Sequence, residues 1–306
     1  MGYSFAARDY ISSENFAVYQ CPACSLAATE PSPRPADFAK YYPKLYYGSR
    51  KSFTDRLINN GRRRKIKKIA ARLKNNIDKK SLLDIGCGDG GFISLLAADG
   101  WRVAGTEMAA QGSHKRPAPA YICRQELVNC GFKQADFDII TMWHSVEHFS
   151  EPLAYLKEAG RILKKEGILL LEAPNFNSWQ SVIFKDNWFH LDVPRHIFHY
   201  DKKSLALILE KADFKIVKVS YNSLIYGLFG LIQSCLNVFC QRKNLLFDWL
   251  NGKAGLADLK TRSVGAGDFI ITFILVIPVL IFSLLFFALE VLFNRGGIIT
   301  VWARRE

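Results

Sequence analysis

Short apolar runs alternate with amphipathic stretches along most of the chain. Runs of this length are typical of parallel strands that are covered on both faces, and apolar residues at helical spacing are typical of the helices between them. The pattern therefore predicts an α/β fold. Its strands are expected at Leu82–Asp84, Trp101–Glu107, Tyr121–Cys123, Phe137–Met142, Gly167–Glu172, Phe214–Ser220 and Gly297–Ala303.

Helical spacing is clearest in three segments. Glu151–Lys165 and Lys202–Ala212 are predicted amphipathic helices, and a basic helix is predicted from Asp55 to about Asn76. Its apolar stripe is Ile66, Ile69 and Leu73, and its basic residues are Arg56, Arg62, Arg63, Arg64, Lys65, Lys67, Lys68, Arg72 and Lys74. Such a charge run is either a solvated face or a face that lies on anionic lipid, where each basic residue adds roughly 1 kcal/mol.

The longest apolar stretch lies near the C-terminus. Phe269–Leu289 contains no charged residue. As a helix it would be about 31 Å long, which is close to the thickness of a bilayer core. Upstream, Leu224–Val238 is a shorter apolar run that Gln233 and Asn237 interrupt. These two runs predict a pair of apolar helices between the last two strands.

A glycine-rich turn follows the first predicted strand. Gly86, Gly88 and Gly91 satisfy the spacing G-x-G-x-x-G, which alone fits a dinucleotide as well as other ligands. Glycine allows positive φ and lets a ligand lie against the backbone at the start of a helix. Asp84 precedes the turn, and its negative charge suits a ligand with an ammonium and a sulfonium better than a pyrophosphate.

The segment Leu82–Phe92 resembles motif I of class I S-adenosylmethionine (SAM)-dependent methyltransferases. The resemblance, to a type 11/23-like subfamily with an N-terminal C-x-x-C segment, covers Cys21–Tyr221 and the final strand. It implies a Rossmann-like seven-stranded sheet with an antiparallel last strand. The apolar helices then form an insert between strands 6 and 7.

The resemblance also implies where the cofactor binds. Glu107 ends the second strand, where a carboxylate can accept both ribose hydroxyls. Glu126 follows the third strand on the adenine side, and Trp143 and His144 follow the fourth. The candidate cofactor-binding residues are Asp84, Gly86, Cys87, Gly88, Gly90, Glu107, Met108, Glu126, Trp143 and His144.

A second cluster, Trp188–Tyr200, combines histidines, Arg195, Asp192 and aromatic residues. His196 or His199 is a candidate general base for a hydroxyl acceptor, and Arg195 can hold an anionic group. The alternative is a structural lid in which Arg195 pairs with Asp192. The cluster is similar to a Trp…Asp-x-Pro-Arg-His segment of the same subfamily.

His148 is a further candidate base. With Glu147 it could ligate a metal, but adjacent residues do not share a helical face, so a metal is not expected there. The alternative is that Glu147 and His148 hold the following helix in place.

Cysteine usage gives two expectations. The seven cysteines are an odd number, and Cys87 lies in the glycine turn, so reduced thiols are expected. Cys21-Pro22-Ala23-Cys24 has the form of half a zinc site, but no second pair lies nearby. A turn without metal is therefore favoured, with Cys21 and Cys24 as weak zinc candidates.

The position of the insert limits its topology. Strands 6 and 7 are neighbours in this fold, so the insert must leave and return on the same side of a membrane. Two crossings would export Arg242, Lys243, Lys253, Lys260 and Arg262 against the positive-inside rule. We expect a monotopic or re-entrant hairpin with its bend at Pro278, on the cytoplasmic face. The alternatives are helices that cover the sheet or form a homodimer interface in a cytoplasmic protein.

The predicted domains follow. Residues 1–50 form a segment with the C-x-x-C pair, Pro31–Pro35 and Tyr41–Tyr47; residues 51–223 form the methyltransferase domain; 224–295 form the insert; 296–306 form the last strand. No basic region followed by an apolar region opens the chain, so no secretory signal is expected.

The formal net charge of +13 favours an anionic partner surface. With the apolar insert it favours a lipid surface over nucleic acid. The sequence thus predicts SAM-dependent O-methylation of a lipid-linked or membrane-associated small molecule or glycan. The alternatives are a nucleic-acid methyltransferase, which would leave the apolar insert unexplained, and a SAM-binding scaffold without catalysis.

Overall fold

A seven-stranded sheet organises the centre of the chain. The computed structural model describes residues 2–34, 37–43, 53–73, 80–108, 121–253 and 266–306. The strands of this sheet are β4 (Ser81–Ile85), β5 (Arg102–Thr106), β6 (Tyr121–Cys123), β7 (Phe137–Trp143), β8 (Leu163–Pro174), β10 (Phe214–Ser220) and β11 (Ile298–Arg305). Their order is β10-β11-β8-β7-β4-β5-β6, with an antiparallel C-terminal strand. The predicted Rossmann-like fold is confirmed.

The burial of each strand matches its position in the sheet. Every residue of β4 and β7 is buried, as expected for central parallel strands covered on both faces. Strand β10 lies at the edge of the sheet, and only Phe214 of its residues is buried. Because strand order reverses between β4 and β7, the carboxyl ends of these two strands flank the crevice where such sheets bind ligands.

Within the described residues, four helices belong to the connections of this sheet: α2 (Phe53–Ala70), α3 (Gly91–Ala98), α4 (Pro152–Ile162) and α6 (Lys202–Glu210). Helix α2 buries the predicted stripe residues Ile66 and Ile69 against β4 and α3 residues such as Leu82 and Phe92. Its end is at Ala70; Lys74 and Asn76 lie outside the described residues.

A second, four-stranded antiparallel sheet was not predicted. Its strands are β1 (Gly2–Arg8), β2 (Asn15–Gln20), β3 (Ala27–Glu30) and β9 (Phe198–His199), in the order β1-β2-β3-β9. Alternate β2 residues Phe16 and Val18 are buried in its core with Trp188. Helix α1 (Phe38–Tyr41) follows, and residues 44–47 of the tyrosine-rich stretch lie outside the described residues.

The apolar insert is helical, as predicted. It comprises α7 (Leu224–Phe239), α8 (Leu245–Leu250) and α9 (Ala266–Leu292), and α5 (Trp179–Phe184) precedes it in the chain. The predicted bend at Pro278 is wrong, because Pro278 lies inside α9, which continues through it. A proline removes one backbone hydrogen bond, and packing along the rest of α9 outweighs that loss. Lys260 and Arg262 lie outside the described residues.

The chain divides into two compact units. The sheet unit comprises Phe53–Ala173, Leu205–Val219 and Thr300–Glu306. The helical unit comprises Met1–Ser52, Pro174–Ser204 and Ser220–Ile299. The N-terminal sheet, the histidine-rich cluster and the apolar helices thus group together, and the four domains drawn from the sequence stay a prediction.

Candidate functional site

The glycine turn connects β4 to α3 in the sheet unit. Gly86 has φ +79° and Gly90 has φ +73°, values that favour glycine. A Cβ on Gly86 would lie 2.6 Å from Cβ of Ser145, and a Cβ on Gly90 would lie 2.9 Å from Cδ1 of Ile122. The backbone of the turn is therefore held close to its neighbours, at the N-terminus of α3, in the position where a ligand can contact peptide groups.

Glu107 lies against this turn. Its Oε2 accepts a 3.0 Å hydrogen bond from the backbone N–H of Gly88. Its own backbone N–H donates to the carbonyl of Cys123 at 3.0 Å, which ties the ends of β5 and β6 together. A carboxylate in this place fits the predicted recognition of ribose hydroxyls.

Asp84 is buried beneath the turn. Thr141 Oγ1 on β7 donates a 2.6 Å hydrogen bond to Asp84 Oδ1. Burial raises the pKa of Asp84 to about 7, although the Thr141 hydrogen bond and the positive charge of Arg62 oppose the rise. A bound cation would favour the carboxylate form, so the site suits a ligand that carries an ammonium.

A disulfide closes the loop after β6, on the predicted adenine side. Cys123 and Cys130 are bonded, which corrects the expectation that all thiols are reduced. The loop returns through a short 3₁₀ helix, Leu127–Cys130, and this brings the two residues together. Glu126 precedes that helix and is exposed. The odd number of cysteines in the sequence could not show which two of them form a disulfide.

Cys87 and Met108 differ in exposure. Cys87 is buried, burial raises the pKa of its thiol, and its backbone N–H donates to Thr106 at 3.0 Å. Met108 is exposed, and its Sδ accepts a 3.5 Å hydrogen bond from the Tyr155 hydroxyl. The Tyr155 ring stacks on Phe149.

His144 lies between two buried carboxylates. Its Nδ1 is 3.5 Å from Oε1 of Glu147, and its Nε2 is 3.5 Å from Oε1 of Glu172. Burial lowers the pKa of His144, but the two carboxylates outweigh it and the net change is a rise. Burial alone would raise the pKa of Glu172, yet His144, Lys65 and Arg62 hold it well below its usual range.

Two basic residues of α2 point into the sheet unit and were missed as site residues. The Lys65 Nζ is 3.1 Å from Glu172 Oε2, and the guanidinium carbon of Arg62 is 4.9 Å from the centre of the Trp143 ring. Trp143 itself is buried and packs edge-on against Phe92. The sequence contains one signal for this: Arg62 and Lys65 lie on the same helical face as Ile66 and Ile69 of the apolar stripe, which is the face expected to be buried.

In the helical unit, Arg195 is fully buried with two carboxylates. Its Nη2 is 2.7 Å from both Asp9 Oδ1 and Asp192 Oδ1, and its Nε donates to Asp192 at 2.9 Å. Nη1 donates to the carbonyl of Tyr41 at 3.1 Å. These contacts favour the structural alternative for Arg195 and Asp192 over the binding of an external anion.

The cluster histidines are oriented by hydrogen bonds within the same unit. Thr29 Oγ1 donates to the carbonyl of His196 at 2.8 Å, so His199 Nε2, 2.9 Å away, must donate to Thr29. His190 Nε2 donates to Tyr226 at 3.0 Å. His196 Nδ1 donates to the carbonyl of His190 at 2.9 Å, and this tautomer carries its lone pair on Nε2.

His148 and the C-x-x-C pair are less informative. His148 ends a 3₁₀ helix in the sheet unit and is partly exposed. Cys21 and Cys24 lie in the turn from β2 to β3, where both are free thiols. Hydrogen bonds from the backbone and side chain of Cys24 lower the pKa of Cys21.

Comparison with known proteins agrees with this geometry. A family model described as a methyltransferase domain matches residues 58–219, more than half of the chain. The ubiquinone biosynthesis O-methyltransferase of Histophilus somni is 27% identical over 142 residues, 42% of this chain and 60% of that protein. The enzyme of the same name from Glaesserella parasuis is 30% identical over 113 residues, 33% and 48% of the respective chains.

The chain thus spans only about half of the length of these curated relatives. A solved SAM-dependent methyltransferase from Archaeoglobus fulgidus is 18% identical, with 81% of this chain and 94% of that one covered and a TM-score of 0.49. The matched region contains the glycine turn, Asp84, Glu107 and His144. The chain belongs to the class I methyltransferase family, whose cofactor is SAM.

Proposed function

We propose that this enzyme transfers the methyl group of SAM to a hydroxyl oxygen of a lipid-type acceptor at a membrane surface. The observation that carries the proposal is the similarity of the methyltransferase region to O-methyltransferases of ubiquinone biosynthesis. The long apolar helix α9 supports an acceptor that partitions into lipid. A glycan on a lipid carrier is a second candidate acceptor, because it also has hydroxyl groups and is also held at a membrane.

SAM, when bound, supplies an electrophilic methyl group on a sulfonium. The residues of the sheet unit would hold and orient it. The peptide groups of the turn at Gly86–Gly90 would contact the ligand, Glu107 would accept ribose hydroxyls, and Asp84 would face its ammonium. Positioning of this kind supplies much of the rate of a bimolecular displacement.

A hydroxyl acceptor needs a base, and His196 is our candidate. Its Nδ1–H is held by the carbonyl of His190, so its Nε2 has the lone pair that a base requires. His199 uses its Nε2–H to hold Thr29 in the small antiparallel sheet, so we assign it a structural role. His148 remains the second candidate base.

The basic residues of α2 give little support to a nucleic-acid substrate. Arg63 and Lys67 pair with Asp99, whose pKa these contacts lower to about 2. Lys65 and Arg62 turn toward Glu172 and Trp143. Fewer charges are thus presented to a phosphate backbone than the sequence suggests.

We further propose that the protein is attached to the cytoplasmic face of a membrane through its apolar insert. Among the residues that the structure describes, one helix, Gly267–Leu292, has the length and composition of a membrane span. Most of its length is exposed and apolar, which a helix that merely covers the sheet would not need.

Transfer of labelled methyl from SAM tests the proposed function. Purified enzyme is incubated with a total lipid extract, total RNA or soluble metabolites, and the label is counted in each. We expect label in the lipid fraction, and less of it with His196→Ala at unchanged SAM affinity. Label only in RNA or in soluble metabolites would contradict the acceptor class. SAM binding without transfer to any fraction would indicate a scaffold.

A further inference from the structure

Helix α9 has the polarity of a lipid-facing helix. Its buried polar residues, Asp268, Thr272, Ser283 and Glu290, are spaced so that they fall on one side of the helix. The opposite side is apolar and exposed. We call this side the outer face; its residues are Ile270, Phe273, Ile274, Ile277, Ile281, Leu284 and Leu285.

This arrangement is the reverse of a helix on a water-soluble core. There the apolar stripe faces inward and the polar residues face water. Here Ile274 is 66% exposed and Leu285 is 69% exposed, while Glu290 is fully buried. Polar residues between helices and apolar residues on the outside are typical of helices surrounded by lipid.

Both ends of α9 are attached to the same unit. At its start, Asp268 accepts hydrogen bonds from the backbone N–H groups of Gln241 and Arg242, at 3.0 and 3.1 Å. Near its end, Glu290 accepts a 2.8 Å hydrogen bond from Gln180. Just beyond it, Arg295 donates to Asn177 at 2.6 Å.

The middle and the last turns of α9 pack on α7. In the middle, Leu275, Val276 and Val279 are partly buried against a cluster that contains Ile232 and Leu236 of α7. Nearer the end, Phe287 lies against Gly227, where a Cβ would be only 2.8 Å from the ring. The inner side of α9 is therefore covered by protein from one end to the other. A helix covered in this way leaves its outer face on the surface of its unit along the whole length of the helix.

The neighbouring helices α5 and α8 also have exposed apolar residues. On α5, Val182 and Ile183 are 60% and 57% exposed, and the exposed Lys185 follows them. On α8, the Trp249 ring packs edge-on against Phe273. Tryptophan and lysine are the residues that anchor proteins at the boundary between lipid and water.

We propose that the outer face of α9 docks into a phospholipid bilayer with the helix axis parallel to the membrane plane. This inference rests on the proposed membrane attachment and specifies its surface and geometry. The occupant is an anionic bilayer, because the chain has a formal net charge of +13 and α9 has no charged residue between Phe269 and Leu289. A second copy of the chain would cover a narrow stripe, whereas the exposed apolar residues cover more than half of the helix circumference.

Vesicle flotation tests the surface. Vesicles of equimolar phosphatidylcholine and phosphatidylglycerol are mixed with the full-length protein, without SAM or acceptor. The double variant Ile277→Asp/Ile281→Asp is compared with Val217→Asp, which alters an exposed residue of the sheet unit. We expect the outer-face variant to lose binding at least tenfold and the control to bind as the unmodified protein does.

The three substituted side chains are exposed, so we expect the variants to unfold at the same temperature as the unmodified protein. Thermal unfolding of each variant checks that a loss of binding is not due to misfolding. Equal binding by the outer-face variant, or no binding by the unmodified protein, would overturn the proposal. The proposal would also be overturned if the unmodified protein did not bind vesicles but self-associated, and if the outer-face substitutions abolished that self-association. Since the assay needs no methyl transfer, the docking surface and the proposed acceptor fail independently.

Depth quenching tests the orientation. A fluorophore is attached to a cysteine at Ile274, Ile281 or Ala288 in a Cys21→Ser/Cys24→Ser background, and lipids with quenchers at graded depths are added. The outermost probes are about 21 Å apart along the helix. Equal depths at all three positions are expected. Depths that change along the helix would show that α9 crosses the bilayer and would overturn the parallel geometry.

Discussion

Thr141 and Asp84 form a hydrogen bond of 2.6 Å between two fully buried strands, β7 and β4. The bond holds one oxygen of the carboxyl group in place below the glycine turn. Because burial raises the pKa of Asp84 to about 7, the charge of this group changes near neutral pH. The predicted cofactor site thus contains an acid that a bound cation would ionise.

The first prediction concerns the pH dependence of SAM affinity. The carboxylate form of Asp84 attracts the SAM ammonium, and the protonated form does not. Affinity should therefore rise with pH and level off above about pH 7, where Asp84 is ionised before the ligand binds. Isothermal titration calorimetry across this range measures the change.

Two variants serve as controls for this prediction. Asp84→Asn should bind SAM about 10- to 100-fold more weakly, since a hydrogen bond to a charged group contributes about 1.5–3 kcal/mol, and its affinity should lose this pH dependence. Thr141→Val removes a contact that lowers the Asp84 pKa, so its midpoint should move to higher pH. A pH profile that Asp84→Asn shares with the unmodified protein would contradict the assignment.

The second prediction concerns the close contact of the glycine turn. Gly86→Ala introduces a Cβ 2.6 Å from Ser145 at positive φ, so both stability and SAM affinity should fall. Gly100→Ala is the matched control, because Gly100 also has positive φ but no atom near the added Cβ. The control should cost about 1–2 kcal/mol and leave SAM affinity unchanged. Similar SAM affinities in the two variants would refute a role for the close approach.

A third prediction addresses His144 and Glu172. Glu172→Gln removes one partner of a buried ion pair and should destabilise the protein by about 3 kcal/mol near pH 6. The raised pKa of His144 means that this stabilisation is present below its unfolded pKa and is lost as pH rises through the folded value. The lowered pKa of Glu172 means that it is also lost in strong acid.

Chemical denaturation of both proteins at several pH values checks the sign. The difference in unfolding free energy between the unmodified protein and Glu172→Gln should be largest between the folded-state pKa values of Glu172 and His144. It should shrink in alkali but not vanish, because the contacts of Glu172 with Lys65 and Thr300 persist there. A difference that grows as His144 loses its proton would contradict this account.

The fourth prediction separates a structural Arg195 from one that binds substrate. Arg195→Ala leaves Asp9 and Asp192 without their shared cation and should cost about 3–5 kcal/mol. Arg195→Met/Asp9→Asn should recover part of this loss, because fewer buried charges remain uncompensated. Thermal unfolding and the KM for acceptor are measured together. Raised KM at unchanged stability in Arg195→Ala would restore Arg195 as an anion-binding residue.

The sheet unit was largely predictable because its signals are local. Strands β6 and β10 have the bounds that the apolar pattern predicted, and the glycine turn follows from Asp84 and the spacing of Gly86 and Gly88. The apolar runs predicted the central strands β4 and β7, because every residue of these strands is buried and both of their faces are covered.

The histidine-rich cluster was less predictable because its contacts are distant in sequence. Arg195 pairs with Asp9 across 186 residues, and His199 contacts Thr29 across 170 residues. The two-residue strand β9 has no periodicity to detect. Lys65 and Arg62 were read as surface charge because a long basic side chain gives the same sequence pattern whether it faces water or a buried carboxylate.

Transfer of a ¹³C-labelled methyl group to the acceptor tests the central claim most directly. The enzyme is supplied with methyl-labelled SAM and the total lipid extract, and the labelled product is examined by NMR. The account predicts a methyl carbon bonded to oxygen in a lipid-soluble product, and less of this product from Asp84→Asn at a SAM concentration that does not saturate the variant. A methyl carbon bonded to nitrogen or carbon, or label confined to water-soluble or nucleic-acid products, would contradict it.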